Sequence, residues 1–151
     1  MEPQWRKVTG SSGLLILRLG VGGFMVTHGW GKLNTILQGQ FDGFPNPIGL
    51  GSGPSLVLTT TAEFFCAILV MMGLGTRFAA APIAFAMGVA AFVVHSADPW
   101  TMGQGVSKEP AMLYLSAFLA LILTGPGMIS IDELICRGWR RRRSSGQVAS
   151  P

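Results

Sequence analysis

Apolar residues run almost without interruption through four stretches of the chain, Gly13 to Gly31, Leu56 to Leu74, Phe78 to Val94 and Ala111 to Thr124. A helix crossing the hydrocarbon core of a bilayer needs about 20 mostly apolar residues, with roughly 17 as the lower limit. Three of the stretches meet that length directly. The fourth reaches it by starting at Glu109 and continuing through Gly125-Pro126-Gly127; Ser107 is an N-cap candidate, and Glu109 and Pro110 suit a first turn. The expected architecture is all-α, a four-helix transmembrane bundle with spans at 13–31, 56–74, 78–95 and 109–127 inside a membrane domain of residues 13–137.

The connecting segments differ in kind. Residues 1–12 read as a polar lead, and residues 138–151 as a basic tail expected to be disordered. Gly75-Thr76-Arg77 is a tight turn that makes spans two and three antiparallel neighbours. Asn34 to Ser55 is a long Gly/Pro-rich loop in which Phe41 and Phe44 are placed to dip into the interface as a lid, and Ser96 to Lys108 is a second loop at the same end. After span four, Ser130-Ile131-Asp132-Glu133 fits a capping box, opening a short interfacial helix with Ile131, Leu134 and Ile135 on one face.

Composition strengthens the membrane reading: 49% of residues are hydrophobic and 12% charged, against roughly 25% charged in an average soluble domain. Positive charge is also lopsided. Arg6, Lys7, Arg77, Arg137 and Arg140 to Arg143 fall on the side of the termini, and only Lys32 and Lys108 on the other, so both termini are expected in the cytoplasm. The run Arg137 to Arg143 would suggest nucleic acid in a soluble protein; beside four spans it reads as an anchor on anionic membrane lipid, with about 1 kcal/mol per basic residue near the surface. Arg18 interrupts the first apolar run and no small-x-small site follows it, which argues against a cleaved signal peptide.

The chemistry lies in the ionisable groups that remain at membrane depth. A charge there costs about 2.5 kcal/mol or several times that, so it persists where it is paired or faces a cavity. At 100° per residue, Arg18, Gly22, Met25, Gly29 and Lys32 share one stripe of the first helix, with His28 on its flank. His28, Lys32, Glu63, His95, Asp98, Lys108 and Glu109 collect at one end of the bundle from separate spans, and such convergence marks a site more strongly than any one residue. Glu63 has two compatible readings, a carboxylate neutralised by Lys32 that ties two helices together, and a group that exchanges protons with a ligand. His28 and His95 read either as proton carriers or as wet interfacial residues, the latter favoured for His95. A bis-histidine haem is disfavoured because both histidines fall at the same edge and no second pair exists. No metal site is expected. Arg18, nearer the other end, takes either Asp132 as a structural ion-pair partner or a carbonyl freed by the Gly125-Pro126-Gly127 break. Cys66 and Cys136 fall too far apart to pair and form no C-x-x-C, which excludes a membrane thiol oxidase.

In order along the chain, Leu17-Arg18-Leu19-Gly20, His28-Gly29-Trp30-Gly31-Lys32-Leu33, Glu63, Gly73-Leu74-Gly75-Thr76-Arg77, Glu109 to Leu115, and Thr124-Gly125-Pro126-Gly127 followed by Ser130-Ile131-Asp132 resemble the DoxX/DoxD family of small four-helix membrane proteins. The resemblance spans Leu14 to Glu133; Asp98-Pro99-Trp100 and Lys108 depart from its more glycine-rich approach to Glu109. It implies a bacterial inner-membrane protein linked to quinone-dependent redox chemistry of sulfur or oxidative-stress metabolism, as in the membrane subunit of thiosulfate:quinone oxidoreductases. On that expectation a lipoquinone, ubiquinone or menaquinone, binds in the outer half of the bundle. Lys32 and His28 donate hydrogen bonds to a quinone carbonyl, Glu63 passes protons with Glu109 as the more exposed relay, and Trp30, Met25 or Tyr114 packs on the ring. With no flavin, haem or iron–sulfur signature, electrons come from a soluble partner subunit or a small reductant. Whether the chain itself catalyses, and whether it self-associates, is left open. Two other classes stay in play, a proton-coupled gate for a small solute and a passive membrane anchor for a soluble redox enzyme.

Overall fold

The structure, a computed structural model, describes residues 4–101 and 105–147, with side chains for 8–101 and 105–140. Among these residues every regular element is helical. The helices are α1 (Gln4–Leu37), α2 (Ser52–Met72), α3 (Thr76–Val94), α4 (Glu109–Thr124) and α5 (Ile131–Gln147). The first three are each long and apolar enough to cross a membrane. The fourth, at 16 residues, spans about 24 Å, short of the roughly 30 Å of a hydrocarbon core.

Where the helices end differs from the hydropathy pattern for local reasons. α1 is described from Gln4, so residues 4–12 of the polar lead are part of the first helix; Ser12 Oγ donates to the Val8 carbonyl at 3.0 Å and no proline interrupts the run. Hydropathy marks where a helix is apolar, not where it is hydrogen-bonded. α4 stops at Thr124 instead of reaching 127, because Pro126 disfavours helical backbone at the residue before it. α5 continues to Gln147, where a short helix and a disordered tail were expected. Arginine is a good helix former, and Glu133 meets Arg137 at 2.9 Å and Arg140 at 3.3 Å, one and two turns on. The side chains of Arg6, Lys7 and Arg141 to Arg143, and residues 148–151 of the tail, lie outside the described residues.

α1 packs extensively along α2, α2 against α3, and α3 extensively against α4. The core is built from Met25 of α1, Ala62, Ala67 and Val70 of α2, Ala79, Ala80, Ile83, Ala84 and Met87 of α3, and Phe118 and Leu121 of α4. Alanine at so many of these positions lets the helices approach closely. Large apolar side chains such as Phe24, Phe78, Phe85 and Leu123 face outward, which suits a bundle whose surroundings are lipid.

A polar clamp closes the end where α1 begins. Met128 N–H donates to Ser11 Oγ at 3.1 Å, and Asp132 N–H to the Gly73 carbonyl at 3.0 Å. The Asp132 carboxylate accepts from the backbone of Gly75 at 2.8 Å and of Thr76 at 3.3 Å, capping α3. Ser130 Oγ accepts from Glu133 N–H at 3.2 Å, the forward half of the expected capping box. Gly73 has φ +71°, and a Cβ there would run into the Arg18 guanidinium and Ser130. Arg18 is wholly buried and donates from Nη2 to the Ile129 carbonyl. Arg18 and Asp132 are near enough to interact electrostatically, but their hydrogen bonds go elsewhere: the carboxylate accepts from two N–H groups at the positive end of α3, while the arginine donates to a carbonyl in the segment after α4 breaks off, the second of its two expected partners.

Candidate functional site

Glu63 owes its position to an irregular helix. The hydroxyls of Thr59, Thr60 and Thr61 bond back to the carbonyls of Ser55, Leu56 and Val57 at 2.7, 2.7 and 2.8 Å, a pattern that bends helices. At the last of them α2 widens into a π-helical stretch, Thr61–Cys66, a feature frequent at functional sites. Opposite it stands Gly29 of α1. A Cβ at Gly29 would lie 2.6 Å from Phe64 N and 2.7 and 2.8 Å from the carbonyl carbon and oxygen of Glu63, so two backbones touch here. One turn further along α1, Lys32 reaches over this contact and its Nζ donates to Glu63 Oε2. The carboxylate side chain is 4% exposed and the lysine 26%. The rest of the stripe also faces inward, with Arg18 and Met25 buried and Gly22 against Met71.

α3 carries a second π-helical stretch, Ala90–Val94, closed by a bond from His95 N–H to the Ala90 carbonyl at 2.9 Å. Eight residues before it is Pro82, whose missing N–H loosens the helix interior. Between these irregular stretches lie two cavities. The larger, about 360 Å³, runs between α2 and α3 past Leu58, Thr59, Ala62, Pro82, Phe85, Ala86, Val89 and Val94, and ends on Lys32 and Glu63. Its roof is the loop before α2, through Phe44, Pro45, Pro47 and Ile48, held by Asn46 Oδ1 accepting from Gly51 N–H at 2.9 Å. Leu58, Phe85 and Val94 are exposed, which places the mouth on the apolar flank of the bundle.

The smaller cavity, about 160 Å³, is bounded by Met25, His28, Glu63, Met87, Ala90, His95, Pro110, Ala111 and Tyr114. Glu63 and Ala90, one from each π-helical stretch, line both cavities. The partition between them is the buried Glu63 carboxylate and Ala90, with Lys32 on the larger cavity's side.

The expected single pocket is thus two. Lys32 and Glu63 belong to the larger; Glu63, His28, Met25 and Tyr114 to the smaller, with the His28 and Tyr114 rings edge-on at 5.9 Å. Trp30 lines neither and stands half-exposed at 5.9 Å from Phe64, because two residues along a helix turn it away from His28. His95 Nδ1 and Asp98 Oδ2 are 2.7 Å apart. Lys108 donates to the Ser96 carbonyl at 2.7 Å and sits over the Trp100 ring, so the stretch Asp98-Pro99-Trp100 orders its loop around these contacts. Glu109 opens α4 immediately before Pro110 and Ala111 of the smaller cavity. Sequence reasoning missed the α3 wall from Pro82 to Val94. Two signals stood in the chain, a proline inside an apolar span and three consecutive threonines ahead of Glu63.

The DoxX family model matches residues 13–96, a stretch holding Lys32, Glu63, His95 and both π-helical stretches. The chain is 31% identical over 130 residues to the inner membrane protein YqjF of Escherichia coli, covering 84% of this chain and 95% of that one. It is 30% identical over 126 residues to an uncharacterized protein of Haemophilus influenzae, covering 80% and 88%. No solved structure matches the chain. An all-helical bundle with an apolar exterior, a match through its first three helices and a near full-length inner-membrane relative agree: the chain belongs to the DoxX family of integral membrane proteins.

Proposed function

We propose that this protein is a quinone-binding component of a redox system in the bacterial inner membrane, where its relative YqjF is named as residing. The observation that carries the reading is the larger cavity, an apolar channel that begins on the outer flank and ends on an ammonium–carboxylate pair. At about 360 Å³ it falls within the range of roughly 300–1,000 Å³ typical of ligand pockets. Its shape suits an amphiphile with a long apolar tail and a small polar head, entering sideways from lipid. Before the ion pair a water-soluble solute meets only Ser55 and Thr59 as polar side chains along the channel, so the transport reading draws less support.

A quinone bound here supplies two-electron, two-proton chemistry. Lys32 Nζ is placed to donate to a carbonyl oxygen and to stabilise negative charge that develops on it, in surroundings where such a donor acts strongly. Glu63 is placed to hold or release a proton at the same end. His28 and Tyr114 act through Glu63 from the other side of the partition, and the apolar walls Phe44, Phe85 and Val89 take the packing role expected of Trp30. Electrons come from a partner protein or a small reductant. Positive charge on the terminal side, Arg77, Arg137 and Arg140, orients both termini to the cytoplasm.

Mass spectrometry of organic extracts from mildly purified protein tests the proposal. Near-stoichiometric quinone is expected in the wild type and only background in folded Lys32→Ala and Glu63→Gln. Background quinone in all three overturns it.

A further inference from the structure

The smaller cavity plays no part in holding a tail-bearing ligand, and its chemistry differs from that of the larger one. We propose that it is a hydrated inlet through which protons pass between the aqueous surface at the loop end and Glu63, by way of the Asp98–His95 pair. The inference rests on reading Glu63 as the proton-handling wall of the ligand cavity.

Three observations carry it. First, the groups on the loop side are graded in exposure, while His28 on α1 is itself exposed. Asp98 and His95, in contact at 2.7 Å, have side chains 35% and 29% exposed, while Glu63 at the inner end is 4% exposed. Second, the space between them is the right kind for water. At about 160 Å³ it has room for several molecules, and a water needs two to four polar partners. Glu63, His28, His95 and Tyr114 supply these from α2, α1, the end of α3 and α4. Among the described residues, the His28 and Tyr114 rings meet edge-on, and neither side chain hydrogen-bonds to protein. Third, the inlet and the ligand cavity meet only at a partition, because Glu63 and Ala90 line both.

The titratable groups around Glu63 are Lys32 on the ligand side and His28, Tyr114 and His95 on the inlet side, with Asp98 behind His95. Lys108 is turned away to the Ser96 carbonyl and Trp100. A histidine accepts a proton at one ring nitrogen and releases one from the other without net change, and Asp98 fixes the Nδ1 side. The arrangement delivers a proton to the polar end of the ligand cavity without wetting that cavity.

Two measurements on the wild-type protein in lipid nanodiscs test this without any quinone. Radiolytic hydroxyl-radical labelling in heavy-oxygen water is expected to mark Met25 and Met87, both in the core but lining the inlet, and to spare Phe118, which is buried beside Tyr114 and does not line it. Unlabelled Met25 and Met87 mean a dry cavity and overturn the proposal. Time-resolved infrared after a caged-proton flash then follows the Glu63 carboxyl band, assigned by its loss in Glu63→Gln. His95→Phe is expected to slow its protonation by at least about tenfold, and Asp98→Ala serves if that variant fails to fold. An unchanged rate overturns the route through His95. Absence of bound quinone from the wild type would sink the ligand reading and leave both readouts unaffected.

Discussion

Glu63 shows how much a single side chain depends on its neighbours' backbones. It meets Lys32 because a glycine at position 29 lets α1 lie directly on the π-helical turn of α2. Gly29→Ala forces those backbones apart, and overpacking of this kind costs about 1–3 kcal/mol. Gly31→Ala adds its methyl to open space inside the same helix and is expected to be neutral or to stabilise by up to about 1 kcal/mol. Melting of the detergent-purified variants checks both. The ion pair has its own signature. Removing one partner of a buried pair costs about 3–5 kcal/mol, whereas replacing both with matched neutral side chains is often tolerated. Lys32→Met and Glu63→Gln should each destabilise the fold, and the double variant should recover much of the loss. Losses that simply add would contradict a coupled pair. The pairing itself was readable in the sequence, since both residues fall at one depth on adjacent spans. The contact at Gly29 was not, because a small residue looks the same whether it touches a helix or faces lipid.

The helices are held in register by their ends as much as by their sides. Asp132 ties the start of α5 to the turn between α2 and α3 by accepting from Gly75 and Thr76, and Ser130 caps α5 itself. Asp132→Ala leaves two backbone donors without their acceptor and is expected to cost about 1–3 kcal/mol. Ser130→Ala loses one cap, about 1 kcal/mol. Unfolding in mixed micelles should rank them in that order, and the reverse order would place the clamp elsewhere. The capping box was legible because it is a local pattern. That Asp132 would cap a different helix was not, because the partner lies more than 50 positions away and nothing local announces it. The π-helical stretches share this character: three threonines mark where α2 bends, but only packing against α1 shows which side chain the bend aims.

For the whole molecule, both cavities are bounded by α1 to α4 and their loops, and α5 lines neither. Truncation after Gly138 should therefore leave bound quinone unchanged, as extraction and mass spectrometry would show, while weakening binding to anionic vesicles. Reporter fusions at the C-terminus check the orientation, with a cytoplasmic signal expected from the positive residues on that side. The sequence by itself determined that this chain is a membrane helical bundle, which helices are apolar and at what depth the charges fall, because these follow from one-dimensional spacing against the fixed thickness of a bilayer. It also carried the family. Only the tertiary structure decided that the convergent polar end is two compartments and not one, that Trp30 belongs to neither, and that an apolar wall of α3 completes the larger. Those facts depend on the rotation of each helix about its axis, and rotation is set by close contacts between segments distant along the chain.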